Sequence, residues 1–300
     1  MVSRMRAAVV VNVRSGRSGS AVAHLPELLA ARRIDIDVFK TVDNESDLRK
    51  HVKRARKSGI AHIIVGGGDG SMATAVDVLA KHDAVLGVLP LGTGNSFARS
   101  IGLDDSLEKA LDALERARVE RVDLGLVNGT HFANFASIGL SAEIAAAAPR
   151  SLKRAIGAAS YIAGGIAPFA RSRPFRATVR WDSGREALET VQIVVASGRF
   201  FGHQPIAPDA TIVDHRLAFF ATTGVSHLEI ARMYFAMGLG VQNDLPDAIA
   251  LSSREIVIKT KPKQPISIDG NAFGQTPARF RVVPRALRVI VGPDFDHVSQ

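Results

Sequence analysis

The 300-residue chain has no cysteine. Disulfides, thiolate nucleophiles and cysteine-held metals are therefore excluded. Aromatic residues make up only 6% of it, with a single tryptophan, and no basic stretch is interleaved with them. A nucleic-acid partner is not expected on that pattern. The nine histidines are scattered, without the His-Glu-x-x-His spacing of a zinc helix. No repeat, low-complexity tract or leader pattern is legible, which points to the cytoplasm. One uncharged run, 155–170, is flanked by Lys153, Arg154, Arg171 and Arg173. It is too short and too glycine-rich to span a bilayer, which leaves a core helix or a helix lying on a membrane surface.

What is present is enough apolar material, 46% of the residues, to bury a large core in two domains. The formal net charge of +9 favours anionic partners such as polyphosphates and lipid surfaces. Up to about Ala117 the pattern alternates βαβαβαβα, with helices expected at Ala21–Arg32, Asn44–Ser58, Met72–Ala80 and Ser106–Ala117. That alternation implies a Rossmann-like parallel α/β domain. From Arg121 onward, short strand-like pieces dominate, among them 122–127, 131–136, 175–181, 190–196, 217–222, 255–260, 265–268, 280–283 and 287–291. They predict an antiparallel β-sandwich, interrupted by helices near 151–170 and 225–240. The expected domains are residues 1–124 and 125–300, with the extreme C-terminus free to pack back on the first.

The chemistry concentrates where strands end. His62-Ile63-Ile64-Val65-Gly66 runs straight into Gly67-Gly68-Asp69-Gly70-Ser71, and a helical pattern follows. Glycines allow backbone N–H groups to approach an anion, and the helix that follows adds the positive end of its dipole. Asp69 would repel a polyphosphate unless a hard cation such as Mg2+ lay between them, so the turn suggests a nucleotide with its metal. An Asx-type cap for the helix near Ser71 is the competing reading. The next strand-like run, 85–89, delivers another such loop, Pro90-Leu91-Gly92-Thr93-Gly94-Asn95. Upstream, 7–11 delivers one more, the first in chain order, containing Asn12, Ser15 and Gly16. In an open parallel sheet the carboxyl ends of strands form the ligand crevice, so all three loops would face one ligand.

These loops, in this order, resemble those of the diacylglycerol kinase catalytic-domain family, which includes bacterial lipid kinases and sphingosine kinases. The family's Asn-Pro-x-Ser-Gly, Gly-Gly-Asp-Gly-Thr/Ser and Pro-x-Gly-Thr-x-Asn patterns correspond to Asn12–Gly16, Gly67–Ser71 and Pro90–Asn95. Weaker matches fall at 122–125, 132–134 with 137–139, and 207–210 with Asp214. The resemblance implies a nucleotide and a lipid acceptor in a cleft between the domains. It assigns the metal and phosphate region to Asp69 and contacts with nucleotide to Ser71, Thr93 and Asn95.

The departures from the family pattern are specific. Val13 stands where the family has proline. The family's Asp-Gly-Glu, which carries its proposed catalytic carboxylates, reads Asp269-Gly270-Asn271, and an amide has no basic state near neutral pH. Asp269 is then the remaining candidate base or hydroxyl orienter. The family's Asp-Asp-Gly near a structural metal reads Val213-Asp214-His215, and its Asn-Gly reads Ser197-Gly198, ahead of the turn containing Gly202 and His203. The resemblance thus implies an ATP- and Mg2+-dependent kinase acting on a hydroxyl of a diacylglycerol-like lipid, peripheral at the inner membrane surface, with a homodimer as one option. Two alternatives stay open: a nucleotide-binding protein weakened by Asn271, and a kinase of another acceptor such as NAD.

Overall fold

The computed structural model describes residues 4–16, 19–147, 173–200, 207 and 210–298. The expectations placed on the run 155–170, on Gly202 and His203, and on Pro208 and Asp209 lie outside the described residues. The chain divides into two compact units, Met1–Asp123 with Pro284–Gln300, and Leu124–Val283.

In the first unit, strands β1 (Met5–Asn12), β2 (Ile34–Val42), β3 (His62–Gly67) and β4 (Val85–Pro90) lie in the order β2-β1-β3-β4, and every pairing among them is parallel. Parallel strands covered on both faces read as unbroken apolar runs, and Ala7–Val11 is such a run, fully buried. Helices α1 (Gly19–Ala31), α2 (Glu45–Lys57), α3 (Asp69–Leu79), α4 (Ser96–Ser100) and α5 (Leu107–Arg116) follow. For α2 and α5 the expected bounds coincide with the caps. Asn44 Oδ1 accepts the Asp47 N–H, and Ser106 Oγ accepts the Lys109 N–H. Along α2, Leu48, Val52 and Ala55 are buried, one face of a helix. Helix α3 begins three residues earlier than expected, because only Gly67 and Gly68 are needed to turn the chain and Asp69 and Gly70 already take helical geometry.

In the second unit, β7 (Phe135–Gly139), β10 (Gln192–Ala196), β11 (Leu217–Thr222), β12 (Ala248–Ser253), β14 (Pro265–Ile268) and β15 (Asn271–Gln275) form an antiparallel sheet in the order β12-β11-β10-β7-β14-β15. Facing it are β8 (Phe175–Trp181), β9 (Gly184–Thr190) and β13 (Glu255–Lys261), also antiparallel. Alternate residues of β8 are buried, so only one of its faces meets the core. That core joins Ile138, Ile193 and Phe219 of the first sheet to Phe175, Ile258 and Phe280, and Phe132 meets Phe280 edge-on, with centroids 6.4 Å apart. On the other face of the six-stranded sheet, Phe135, Val194 and Phe220 pack with Ile230, Met233 and Met237 of α7 (His227–Leu239), after α6 (Leu140–Ala147). The fold is the anticipated one: a parallel α/β sheet followed by an antiparallel sandwich.

Three expected strands need correction. The piece 131–136 is two strands, β6 (Thr130–Phe132), which pairs antiparallel with β5 (Val119–Val127), and β7, broken at Ala133 and Asn134. The pieces 280–283 and 287–291 are one strand, β16 (Ala278–Ile290). Its first residues pair with β13 and its last with β4. Pro284, which reads as a break, falls between those two paired stretches, where its missing N–H costs no bond to either strand.

Candidate functional site

β1, β3 and β4 are neighbours in one parallel sheet, so their carboxyl ends bring the three glycine loops together. The loops are bonded to one another. Asn12 Nδ2 donates to Ser71 Oγ at 3.2 Å, and its Oδ1 accepts the Arg14 N–H at 3.0 Å. Ser15 Oγ accepts the Gly68 N–H at 3.1 Å, and the Leu91 N–H donates to Gly67 O at 3.0 Å. Glycine is required where a Cβ would meet a neighbouring loop or turn. A Cβ on Gly92 would sit 2.4 Å from the Gly68 Cα, and one on Gly67 would sit 2.4 Å from Ser71 Oγ. A Cβ on Gly16 would lie 3.2 Å from Thr93 Oγ1, which brings the first loop against the third. Val13, the residue in place of proline, donates its N–H to Val42 O at 2.9 Å, a bond proline could not make.

Asn95 is the brace of the third loop. It is buried and left-handed, with φ 51°, a conformation asparagine tolerates better than most residues. Its Oδ1 accepts the Gly92 N–H at 3.0 Å, and its Nδ2 donates to Gly92 O at 2.9 Å and to Asp105 Oδ1 at 3.0 Å. Asp105 in turn accepts from Arg99 at 2.8 Å. The amide expected to meet nucleotide thus holds its own loop in shape. Thr93 is exposed and Gly94 half-buried at the rim.

Asp69 accepts the Ser96 N–H at 2.6 Å. The cap reading therefore needs correction in its target: the carboxylate sits in the first turn of α3 but serves the start of α4. Although the residue as a whole is half-buried, its carboxyl group is withdrawn from water. Desolvation raises its pKa above the ordinary aspartate value, opposed by Ser96 through its N–H and hydroxyl and by the Phe97 and Asn95 N–H groups. Beside it, the first N–H groups of α3 have no partner within the helix, since Met72 makes the first intrahelical bond, to Gly68 O. The loop cluster thus presents backbone donors, a helix dipole and one desolvated carboxylate.

In the second unit, Asp269 and Gly270 form the two-residue turn between β14 and β15, with φ 46° and 79°. The buried Asp269 carboxylate accepts the N–H groups of Ala133, Asn134 and Phe135 at 3.2, 3.1 and 3.0 Å. Asn271 is exposed at the start of β15, an edge strand. Asp214 is exposed as well, and its carboxylate accepts the Arg216 N–H at 2.9 Å within its own turn.

Among the described residues, no three His, Asp or Glu side chains are grouped so as to hold a metal. Nor is any described helix long and apolar enough to cross a membrane. Asp69 offers a single carboxylate, which fits Mg2+ only if the ion takes its other ligands from water and nucleotide. Sequence reasoning does not single out the network residues Ser96, Arg99 and Asp105. The available signal for Asp105 is the acidic pair Asp104-Asp105 ahead of a helix already capped by Ser106.

Comparison with known proteins agrees with this geometry. Residues 6–127 match the diacylglycerol kinase catalytic domain, and residues 134–291 match the YegS C-terminal NAD kinase beta sandwich-like domain. A relative described as "Probable lipid kinase YegS" from Escherichia coli (strain SMS-3-5 / SECEC) is 30% identical over 256 residues, covering 83% of this chain and 84% of its own. The YegS of Escherichia coli O1:K1 / APEC matches at the same identity and coverage. A crystal structure of a diacylglycerol kinase from Bacillus anthracis str. Sterne superposes with TM-score 0.77 at 21% identity, covering 98% of this chain and all of that one. A second structure, described as a "putative diacylglycerol kinase" from the same organism, reaches TM-score 0.84 at 22% identity, covering 98% of each chain. At such identities the superpositions speak to fold alone. The matched domains and the curated relatives together show that this chain belongs to the YegS-type lipid kinase family, built on a diacylglycerol kinase catalytic domain.

Proposed function

We propose that the chain is an ATP- and Mg2+-dependent kinase that transfers the γ-phosphoryl group to a hydroxyl of a diacylglycerol-like lipid, working peripherally at the inner membrane surface. The observation that carries this reading is the mutual bonding of the three glycine loops. Backbone at 67–70 and 92–94 cradles the phosphates, with the α3 dipole behind them, and Asn12, Ser15, Gly16 and Ser71 hold the cradle in register. Asn95 fixes the third loop, and Thr93 and Gly94 line its rim. Mg2+, when bound with the nucleotide, neutralises phosphate charge, and Asp69 is the residue that would face it. In the transfer, the lipid oxygen forms a bond to the γ-phosphorus as the bond to the β–γ bridging oxygen breaks; ADP leaves and the hydroxyl proton passes to solvent water. A loose transition state asks mainly for positioning and charge neutralisation, so little deprotonation is needed beforehand.

Asp269 serves in this reading to orient the acceptor hydroxyl through the backbone it anchors, and Asn271 occupies the position of the second family carboxylate. Asp214 is kept only as an exposed carboxylate that a second cation would use. Labelled ATP with Mg2+ and a total lipid extract tests the proposal: phosphate appears on a lipid. Phosphorylation of NAD instead would move the chain to another acceptor class.

A second reading is favoured by Asn271 alone. An exposed amide in place of glutamate forfeits general-base help of about 10²- to 10⁴-fold, which describes a nucleotide-binding protein with slow transfer. Tight Mg2+–ATP binding without lipid phosphorylation would select it.

A further inference from the structure

At one end of the six-stranded sheet, three adjacent strands deliver polar residues side by side. Asn134 directly precedes β7, Ser197 directly follows β10, and Asp269 directly follows β14; β7 pairs with both others there, Ala196 opposite Phe135 and Ile268 opposite Ala136. The backbone is fully used. Asn134 O accepts the Ser197 and Gly198 N–H groups at 2.7 and 2.9 Å, and the Asn134 N–H goes to Asp269 at 3.1 Å. The side chains are not. Asn134 and Ser197 are 2% and 1% exposed, yet among the described residues Asn134 Oδ1 and Ser197 Oγ have no hydrogen-bond partner. Two residues on, Arg199 Nε is also buried without one.

Buried polar atoms are almost always paired, because an unmatched one costs about 1–3 kcal/mol. Two of them side by side, with a guanidinium nitrogen close in sequence, mark groups kept for something other than folding. We propose that Asn134 and Ser197, with Arg199, form the headgroup subsite for the acceptor, recognising the hydroxyl and ester oxygens of a glycerol-type lipid. The chemistry matches. An amide oxygen accepts a hydroxyl proton, a serine hydroxyl both gives and takes, and an arginine N–H donates to an ester carbonyl. The unmatched Asn134 Oδ1 calls for a donor, which a hydroxyl supplies and a fully ionised phosphate does not, so a neutral, hydroxyl-bearing headgroup fits better than an anion. Asn134 also holds its place through the carboxylate of Asp269, so the subsite and the proposed hydroxyl orienter share one backbone segment.

This rests on the lipid-kinase reading, and the test separates the two. Calorimetry with soluble dioctanoylglycerol measures acceptor binding directly, ATP titration measures the nucleotide site, and label transfer reports the reaction. For Ser197→Ala and Asn134→Leu the expectation is a tenfold or greater loss of dioctanoylglycerol affinity, unchanged ATP affinity, and a melting temperature equal to or above wild type. Ser197→Asn, which can donate to Asn134 Oδ1, is expected to raise the melting temperature while weakening acceptor binding. If Asn134→Leu does not fold, the two position-197 variants decide. Unchanged dioctanoylglycerol affinity with a lowered melting temperature would overturn the subsite and assign these atoms to an internal water. Wild type that binds dioctanoylglycerol but transfers no phosphate would overturn the kinase reading and leave the subsite standing; wild type that binds none would overturn the subsite.

Discussion

The Asp69 carboxylate accepts the Ser96 N–H at 2.6 Å, so an acid on the first turn of α3 caps α4 and ties the second glycine loop to the third. The same contact takes the carboxylate out of water, and desolvation raises its pKa. An anion held at a cost in the free protein is placed where a cation would relieve it.

Asp69→Asn tests this through stability and binding together. The amide still accepts the Ser96 N–H, so α4 keeps its cap. A carboxyl whose folded pKa is raised contributes stability that is present below its ordinary pKa and lost as pH rises through the folded value. Wild type is therefore expected to lose stability from about pH 4 upward relative to the variant. Melting curves from pH 3.5 to 8 should converge at the acid end and separate toward neutrality, with the variant higher. Mg2+-dependent ATP affinity should fall at least tenfold in the same protein. A variant that is less stable than wild type at neutral pH would contradict the desolvation argument.

Gly92→Ala places a methyl group 2.4 Å from the Gly68 Cα. Because the Cβ is fixed by its own backbone and the atom it meets is itself backbone, the loops must separate, at a cost of about 1–3 kcal/mol. ATP affinity should drop by more than tenfold. Gly274→Ala, with nothing within 4 Å of the added carbon, serves as the control and should bind ATP as wild type does.

Asn95→Ala removes the acceptor for the Gly92 N–H and the donor to Asp105 in a buried site. Chemical denaturation should show a loss of about 1–3 kcal/mol. The alanine must also hold φ 51°, which asparagine bears more readily. If stability is unchanged while ATP binding is lost, the side chain contacts nucleotide directly rather than through its loop.

Asp269→Ala leaves the buried N–H groups of Ala133, Asn134 and Phe135 without their acceptor. The expectation is a large destabilisation, above about 3 kcal/mol, with activity falling as the segment loosens. Asn271→Glu, at an exposed edge position, should be neutral in stability and should raise the transfer rate if position 271 faces the acceptor.

Much of the first unit is legible because its signals are local. Alternating apolar runs and polar caps mark α2 and α5, and the glycine loops announce themselves by spacing. The bonds between loops are not legible. That Asp69 caps α4, and that Asn95 turns inward to Gly92 and Asp105, depends on β3 and β4 lying side by side, which no single segment encodes. In the second unit, β9 and β15 escape a reading by pattern because their residues are mostly exposed and show no sustained apolar alternation, and their place is fixed by hairpin partners. The unmatched side chains of Asn134 and Ser197 likewise emerge only once three strand ends meet.

The central claim, that the bonded loops carry ATP for transfer to a lipid, is tested most directly by one assay. Wild type, Asp69→Asn and Gly92→Ala are incubated with γ-labelled ATP, Mg2+ and diacylglycerol in mixed micelles, and labelled lipid is counted. The account predicts label on the lipid with wild type and at least tenfold less with either variant. Equal labelling by all three proteins, or no labelled lipid from a wild type that also fails to bind ATP, would contradict it.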